Sequence, residues 1–510
     1  MKRALSWMFY ALFSIVFTWV MIYVIFQNQY HESAYLIPVS IVCLAVLAVI
    51  YKMLEKHEST LEDKYKYILP AFCVVMFIIQ IIMSNILEFN PVFDMGAVYH
   101  GAVEWVETGT FEGYYDYFSA NPNNAGAMVF LFVIFKLCSF VGIENFFMAA
   151  ATVNSIMAVC TMAVVSLVCR RLGSVSHALF ALVLFALSLP FYIIGAVFYT
   201  DALSLLFPVL AFYLYLRARD TEDIKKQIQF YVLMALSAAV GMQIKFTVAV
   251  VLAAIAIDLC FRFELKRFAA AAVSTAAVIV LVSVSVNGVL YNHLDKETVE
   301  KEDYPLTHHI MMSFKGDGGY NAEDFEFTKS FDDVEERNEA VKDELFKRIK
   351  DLGFAGIYDL FSVKASKDYG DGTYGFSDFL DDNPVNESSL HKYVLYDGES
   401  YRKYSHFCTS MHIAVMLLML FGSYGYVLVN KKELHKNLVP YLTVFGVFAF
   451  LMIWETNRRY FFNSLPMIFI CAAMGVGQFN AAMSLLKRRI VTVINGPDHV
   501  SEKKSVSRSK

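Results

Sequence analysis

Asp94 is the first residue placed to do chemistry. It sits in Asn90-Pro91-Val92-Phe93-Asp94-Met95-Gly96-Ala97-Val98-Tyr99-His100, directly after a long apolar run. Asn90 as N-cap with Pro91 at the first helical position predicts a helix start there. A carboxylate about one turn into such a helix, at a membrane edge, is suited to taking a proton from an acceptor hydroxyl. It is also suited to the plainer task of complementing the helix dipole. His100 and Glu104 follow four apart on the same helix, a spacing that allows a local pair or a shared substrate contact. Asp201, in Phe198-Tyr199-Thr200-Asp201, opens an apolar run, and Lys245, in Gln243-Ile244-Lys245-Phe246, interrupts two. Ionisable groups among spanning segments are costly and tend to face a partner or a cavity. Lys245 is therefore a candidate for a phosphate, with snorkelling to the interface as the alternative. Arg458 and Arg459, in Trp454-Glu455-Thr456-Asn457-Arg458-Arg459-Tyr460, are a second candidate for phosphate, because guanidinium forks bind its oxygens in pairs. Glu455 and lipid headgroups are their ordinary alternatives.

The elements that must position these residues are membrane helices. The chain is 57% hydrophobic and only 18% charged, a balance far from a soluble globule. Thirteen hydrophobic segments can be marked, at about 7–26, 35–53, 67–87, 126–142, 146–169, 177–198, 200–217, 230–244, 246–262, 268–290, 408–429, 438–454 and 460–481. The first is expected to be a retained span rather than a cleaved signal, since it is long and no small-residue cleavage site follows it. All eight cysteines lie in or beside apolar segments and no CxxC occurs, which argues against a disulfide framework or a zinc site. No Walker A loop, GxSxG or HExxH is present, His308 and His309 are badly spaced for one metal, and nothing suggests nucleic acid.

Lysine and arginine set the expected orientation. Lys2 and Arg3 place the N-terminus inside, and Lys52, Lys56, Lys64 and Lys66 make the second loop cytoplasmic. Lys431, Lys432, Lys436, Lys487, Arg488 and Arg489 place the C-terminal loops and tail inside as well. The loop 88–125 and the insert 291–407 then face outward, with Arg458 and Arg459 also at the outer face. The insert holds 26 Asp/Glu against 14 Lys/Arg, so it carries −12 and the remainder of this −5 chain carries +7. Two outer loops must be separated by an even number of crossings, yet seven segments lie between them. One segment therefore fails to cross, with 177–198 the leading suspect because of Pro190 and Gly195.

The expected fold is an all-α polytopic membrane protein of about twelve transmembrane helices with both termini cytoplasmic. Its divisions are two N-terminal helices (1–66), a transmembrane core (67–290), an extracytoplasmic mixed domain (291–407), C-terminal helices (408–481) and a basic tail (482–510). Phe331–Leu352 is expected to be an amphipathic helix, with Val334, Ala340, Val341, Leu345, Phe346 and Ile349 on one face. The glycine clusters at Lys315–Tyr320 and Tyr369–Gly375 are expected to be turns.

The assembled pattern resembles the GT-C superfamily of membrane glycosyltransferases, which includes protein O-mannosyltransferases and lipid A aminoarabinose transferases. Phe93-Asp94-Met95 is similar to that family's acidic first loop, and Ala120-Asn121-Pro122-Asn123-Asn124-Ala125-Gly126 to its Pro-containing run. Tyr199-Thr200-Asp201 with Arg217 and Arg219 resembles its aromatic-x-Asp helix. Gly241-Met242-Gln243-Ile244-Lys245 and Asn457-Arg458-Arg459-Tyr460…Leu465-Pro466 match two later elements. His308–Asn321 and Gly370-Asp371-Gly372-Thr373-Tyr374 look similar to a Gram-positive subgroup. Two extra spans precede the core, and the acidic doublet of the mannosyltransferases is Asp94 alone, leaving Glu104 and Asp201 as candidates for the second acid.

The resemblance implies inverting transfer of a sugar from a polyprenyl-phosphate donor to an extracytoplasmic glycan, glycopolymer or protein. Asp94 would be the base, and Lys245, Arg458, Arg459, Tyr460 and His100 would contact substrate. No cofactor is expected, and a divalent metal is left open. A flippase for lipid-linked saccharides and a non-catalytic scaffold are the alternatives.

Overall fold

The computed structural model describes residues 2–381, 384–428 and 437–495, and the described chain is helical, with one isolated bridge between Phe89 and Pro384. Lys431, Lys432, Lys436 and the tail beyond 495 lie outside the described residues, as do the side chains of Lys2 and of Lys487, Arg488 and Arg489.

Ten helices are long and apolar enough to cross a membrane, and one bent pair adds an eleventh. Side-chain contacts show which end of the bundle each helix meets. Glu58, opening the Glu58–Ile86 helix, accepts hydrogen bonds from Ser174 and Ser176, whereas Phe89, just past its end, meets Phe147 edge to face. The helices Glu58–Ile86 and Phe146–Leu172 are therefore antiparallel. Continuing in this way, the described chain runs from end to end twelve times. The crossings include the shorter helices Ala249–Arg262 and Leu438–Ile453, and residues 2 and 495 fall at the same end. The end away from Asp94 gathers Arg170, Arg171, Arg219, Arg262 and Arg267, each paired with a nearby carboxylate.

The segment that does not cross is 126–142, not 177–198. The Ala125–Phe140 helix lies beside Phe93–Thr108: Phe132 stacks on Trp105 at 4.1 Å, and Phe135 meets both Tyr99 and Phe146. Trp105 also touches His293, beyond the end of Leu265–Leu290, so this apolar helix stays at the Asp94 end. Leu137 and Phe140 on its outer side are exposed. Six crossings then separate loop and insert, and the parity is even.

The suspected segment does cross, in two pieces. Val175–Leu187 and Pro190–Ala196 meet at 73°. Proline removes a helix donor. The Ala186 carbonyl this frees accepts the Tyr192 hydroxyl at 2.8 Å, and the short second piece leaves further carbonyls that lipid cannot satisfy. Neighbouring helices supply the missing donors. Gln80 Nε2 donates to the Phe191 carbonyl at 2.7 Å, and Asn154 Nδ2 to those of Ile194 at 2.6 Å and Val197 at 3.1 Å. Gly195 lies between Ser84 and Ser155, where a Cβ would come within 2.4 Å of either hydroxyl.

The insert is helical rather than mixed, and it is not one separate unit. Met311, Phe314, Val341, Leu345 and Leu360 form a small core of their own, closed by Arg348, whose fork holds Asp324 at 2.8 and 2.7 Å. From Ala365 onward the insert packs into the main core. Val334–Tyr369 is two helices that meet at Gly353, whose φ of 56° and ψ of −171° are not helical. Val341 and Leu345 face inward as expected, but Phe346 is 66% exposed. Both glycine clusters are turns, as read.

Candidate functional site

Phe93, not Asn90, opens the helix that carries Asp94, with Val92 as its extended cap. Phe93 has φ 51°, a conformation that costs a non-glycine residue free energy and redirects the chain as it leaves the preceding span. Asp94 then stands in the first turn, half-buried. Its Oδ1 accepts the Tyr117 hydroxyl at 2.7 Å, and that hydroxyl accepts Asn124 Nδ2 at 2.7 Å. Tyr199 donates to Asn124 Oδ1 at 3.3 Å. Three loop residues thus fix one carboxylate oxygen.

Asp201 is almost fully buried in the short helix Thr200–Leu203. It lies between two cations: Lys245 forms an ion pair with it, and Arg459 Nε stands 3.4 Å from its Oδ2. The second contact is not a formed hydrogen bond, because both atoms lack a bonding partner. The Arg459 guanidinium lies over Tyr199 at 5.1 Å and Phe379 at 5.2 Å, and Lys245 lies 4.8 Å from the Tyr460 ring centre. Cations held over aromatic faces keep part of their charge free for a further anion. Glu455 is buried nearby. Burial pushes its carboxyl up, against the Arg459 charge and a hydrogen bond with Tyr460. Burial alone would also weaken the Arg459 charge, but Tyr460, Tyr199 and Asp201 more than offset it, so its pKa is raised.

Arg458 turns the other way. It bonds Asp378 through two nitrogens, lies 3.3 Å from Asp371 and donates to the Tyr396 hydroxyl. Those partners all come from the insert, and together they occupy the fork expected to hold phosphate. Glu455, the plainer partner foreseen for the arginines, does not pair with Arg458. His100 and Glu104 also leave the site. The His100 ring meets the Pro91 carbonyl at 3.1 Å, and Glu104 accepts the Gly113 N–H at 3.0 Å. They make no pair with each other, and Glu104 lies about 15 Å along the helix from Asp94 at 1.5 Å per residue.

The insert grips the loop that carries Arg459. Lys364 Nζ donates to the carbonyls of Met452 at 2.9 Å and Trp454 at 2.7 Å, closing the end of the Leu438–Ile453 helix. Thr456 N–H donates to Gly318 at 2.7 Å, and Asn457 N–H to Asp368 at 3.1 Å. Gly375 fits against the Arg458 side chain, where a Cβ would come within 3.1 Å of it. Both glycine turns of the insert thus serve this one loop.

Asn124 and Tyr199 fall inside motifs quoted from the sequence, but their link to Asp94 was not foreseen. Tyr117 and Asp378 carried no signal, since one is an aromatic among aromatics and the other lies 80 positions from its arginine. Among the described residues no group of three His, Cys, Asp or Glu is arranged to hold a metal.

No curated protein matches this chain. A family model described as "conserved hypothetical integral membrane protein" matches residues 1–479 of the 510. That description agrees with the helical bundle and says nothing of chemistry. The match covers nearly the whole chain, which therefore belongs to this family of conserved hypothetical integral membrane proteins.

Proposed function

We propose that this protein is a membrane glycosyltransferase that moves a sugar from a polyprenyl-phosphate donor to an extracytoplasmic acceptor. One observation carries the reading: an anchored carboxylate, Asp94, shares an end of the bundle with two cations, Lys245 and Arg459, that meet at Asp201 with Glu455 buried beside them. The GT-C resemblance supplies the donor class. In the proposed step the acceptor hydroxyl gives its proton to Asp94 as its oxygen attacks the anomeric carbon. The bond from that carbon to phosphate breaks on the opposite face, inverting the centre. The leaving phosphate takes the electron pair, and Lys245 and Arg459 meet its growing charge. Tyr117 holds one oxygen of Asp94 and leaves the other for the acceptor. The arginines at the far end support a cytoplasmic assignment for that end and an outer one for the site.

The test uses the full chain in lipid nanodiscs with a panel of polyprenyl-phosphate sugars and cell-envelope acceptors. Sugar transfer by the wild type that is abolished in Asp94→Asn supports the reading. Undiminished transfer in that variant, or release of donor sugar with no dependence on Lys245 and Arg459, overturns it.

A further inference from the structure

The two spans that precede the GT-C-like core have no part in the site above. Their connecting hairpin, residues 27–32, does something specific. With the start of the Tyr401–Leu428 helix it walls a pocket of about 550 Å³ at the Asp94 end of the bundle. That volume lies within the range of small-ligand sites.

The hairpin is fixed in place rather than loose. Asn28 Oδ1 accepts the backbone N–H groups of Tyr30 at 2.8 Å and His31 at 2.9 Å, a turn closed by its own side chain. Asn28 Nδ2 donates to Gly370, the Tyr30 hydroxyl to the Lys367 carbonyl, and Ser366 to the Gln27 carbonyl. The wall is thus fastened to the insert. The pocket lies on the Arg458 side of the loop whose next residue, Arg459, belongs to the site: the Arg458 guanidinium is 5.5 Å from the Tyr30 ring and 5.5 Å from that of Tyr396.

The lining is aromatic, rich in hydrogen-bonding groups and without net charge. The Tyr30, Tyr401 and His406 rings line it, one His406 face stacked on Tyr35 and one Tyr30 face under Arg458, and Gln29 and Ser405 add polar atoms. The two charged members oppose each other, Arg402 lying 3.8 Å from Glu32. Burial, with His406 beside it, pushes the His31 imidazole down to about 4, so it is neutral at pH 7 and offers one donor and one acceptor. Its Nε2 is buried without a hydrogen-bond partner. An anion would find one arginine already opposed by Glu32, with Asp371 close behind. A sugar ring suits the surface better, because its C–H face packs on aromatic planes while its hydroxyls both give and accept hydrogen bonds.

We infer that this pocket binds a neutral sugar of the acceptor glycan, and that the two extra N-terminal spans exist in this chain to build it. The inference rests on the transferase reading, whose acceptor class it names. Its test needs no turnover. Saturation-transfer NMR on the full chain in zwitterionic nanodiscs would use a panel of neutral hexose and N-acetylhexosamine trisaccharides, with uronic-acid trisaccharides as the charged comparison. The expected result is saturation of neutral trisaccharides only. Affinity should fall about tenfold in each of Gln29→Ala and Arg402→Ala, both on exposed side chains, and stay unchanged in Arg459→Lys. Binding that survives when transfer is never found upholds the pocket and sinks the transferase. Transfer without neutral-sugar binding does the reverse. Preference for uronic acids, a phosphorus signal from added phosphatidylglycerol that depends on Arg402, or unchanged affinity in both alanine variants overturns the inference.

Discussion

Arg458 and Arg459 are neighbours in sequence and opposites in environment. Arg458 is spent on Asp378, Asp371 and Tyr396, whereas Arg459 lies over aromatic faces with its Nε unbonded. Arg458→Met should leave two insert carboxylates without their cation, at a cost of about 3–5 kcal/mol. Thermal unfolding in detergent should show it, while the folded fraction keeps its donor KM. Arg459→Lys should instead spare stability and raise the donor KM about tenfold or more, because lysine cannot reproduce the planar fork. Equal effects of the two changes on donor KM would contradict this division of labour. Asp94→Asn should fold, since its partner Tyr117 can still donate to the amide oxygen, and should lose roughly 10²- to 10⁴-fold in transfer rate. At this scale the sequence announced the ionisable residues but not their partners. Charge at a membrane edge is visible in one dimension. Whether a neighbour 80 positions away neutralises it is not. Glu104 and His100 are taken instead by backbone groups nine positions away, in loop turns that residue type alone does not reveal.

The broken span shows how elements constrain one another. The short piece that follows Pro190 leaves carbonyls at Phe191, Ile194 and Val197 in the bundle interior, and the amides of Gln80 and Asn154 reach across from two other helices to meet them. These buried amides would otherwise look like stations on a transport path. Their hydrogen bonds account for them as helix repair. Asn154→Leu keeps the volume near enough and removes the donors, so it should cost about 1–3 kcal/mol in stability. Unfolding measured by thiol exposure at buried Cys169 should report it, and an unchanged midpoint would mean that the carbonyls find other donors. Hydropathy located nearly every span to within a few residues. It failed at 126–142 because an apolar helix lying at the membrane edge has the composition of one that crosses. It also missed that the third span begins at Glu58, where charged residues extend the helix beyond the apolar window. The mixed character expected of the insert failed for another reason. Alternating apolar and polar residues over short stretches fit several short amphipathic helices as well as strands.

For the whole molecule, the arrangement that decides everything is which loops share a side. The connection between Phe140 and Phe146 is the critical one. Had Ala125–Phe140 crossed, this connection would lie with Ser59 at the far end. The stacking of Phe132 on Trp105 and of Phe135 on Phe146 holds it instead with Asp94 and the insert. Single cysteines in a cysteine-free background can read this out, using an impermeant thiol reagent on intact cells. Asn123, Glu144, Ser389 and Ser59 are all exposed and all lie outside the helices named as crossings or next to their ends. Cysteines at Asn123, Glu144 and Ser389 should react together, and one at Ser59 only after the membrane is opened. Reaction at Ser59 alone would reverse the orientation and leave the bundle intact, placing the proposed site in the cytoplasm. Protection of Glu144 with labelling of Asn123 would be more damaging. It would make Ala125–Phe140 a crossing, restore the odd count between loop and insert, and separate Asp94 from the acidic domain that holds Arg458.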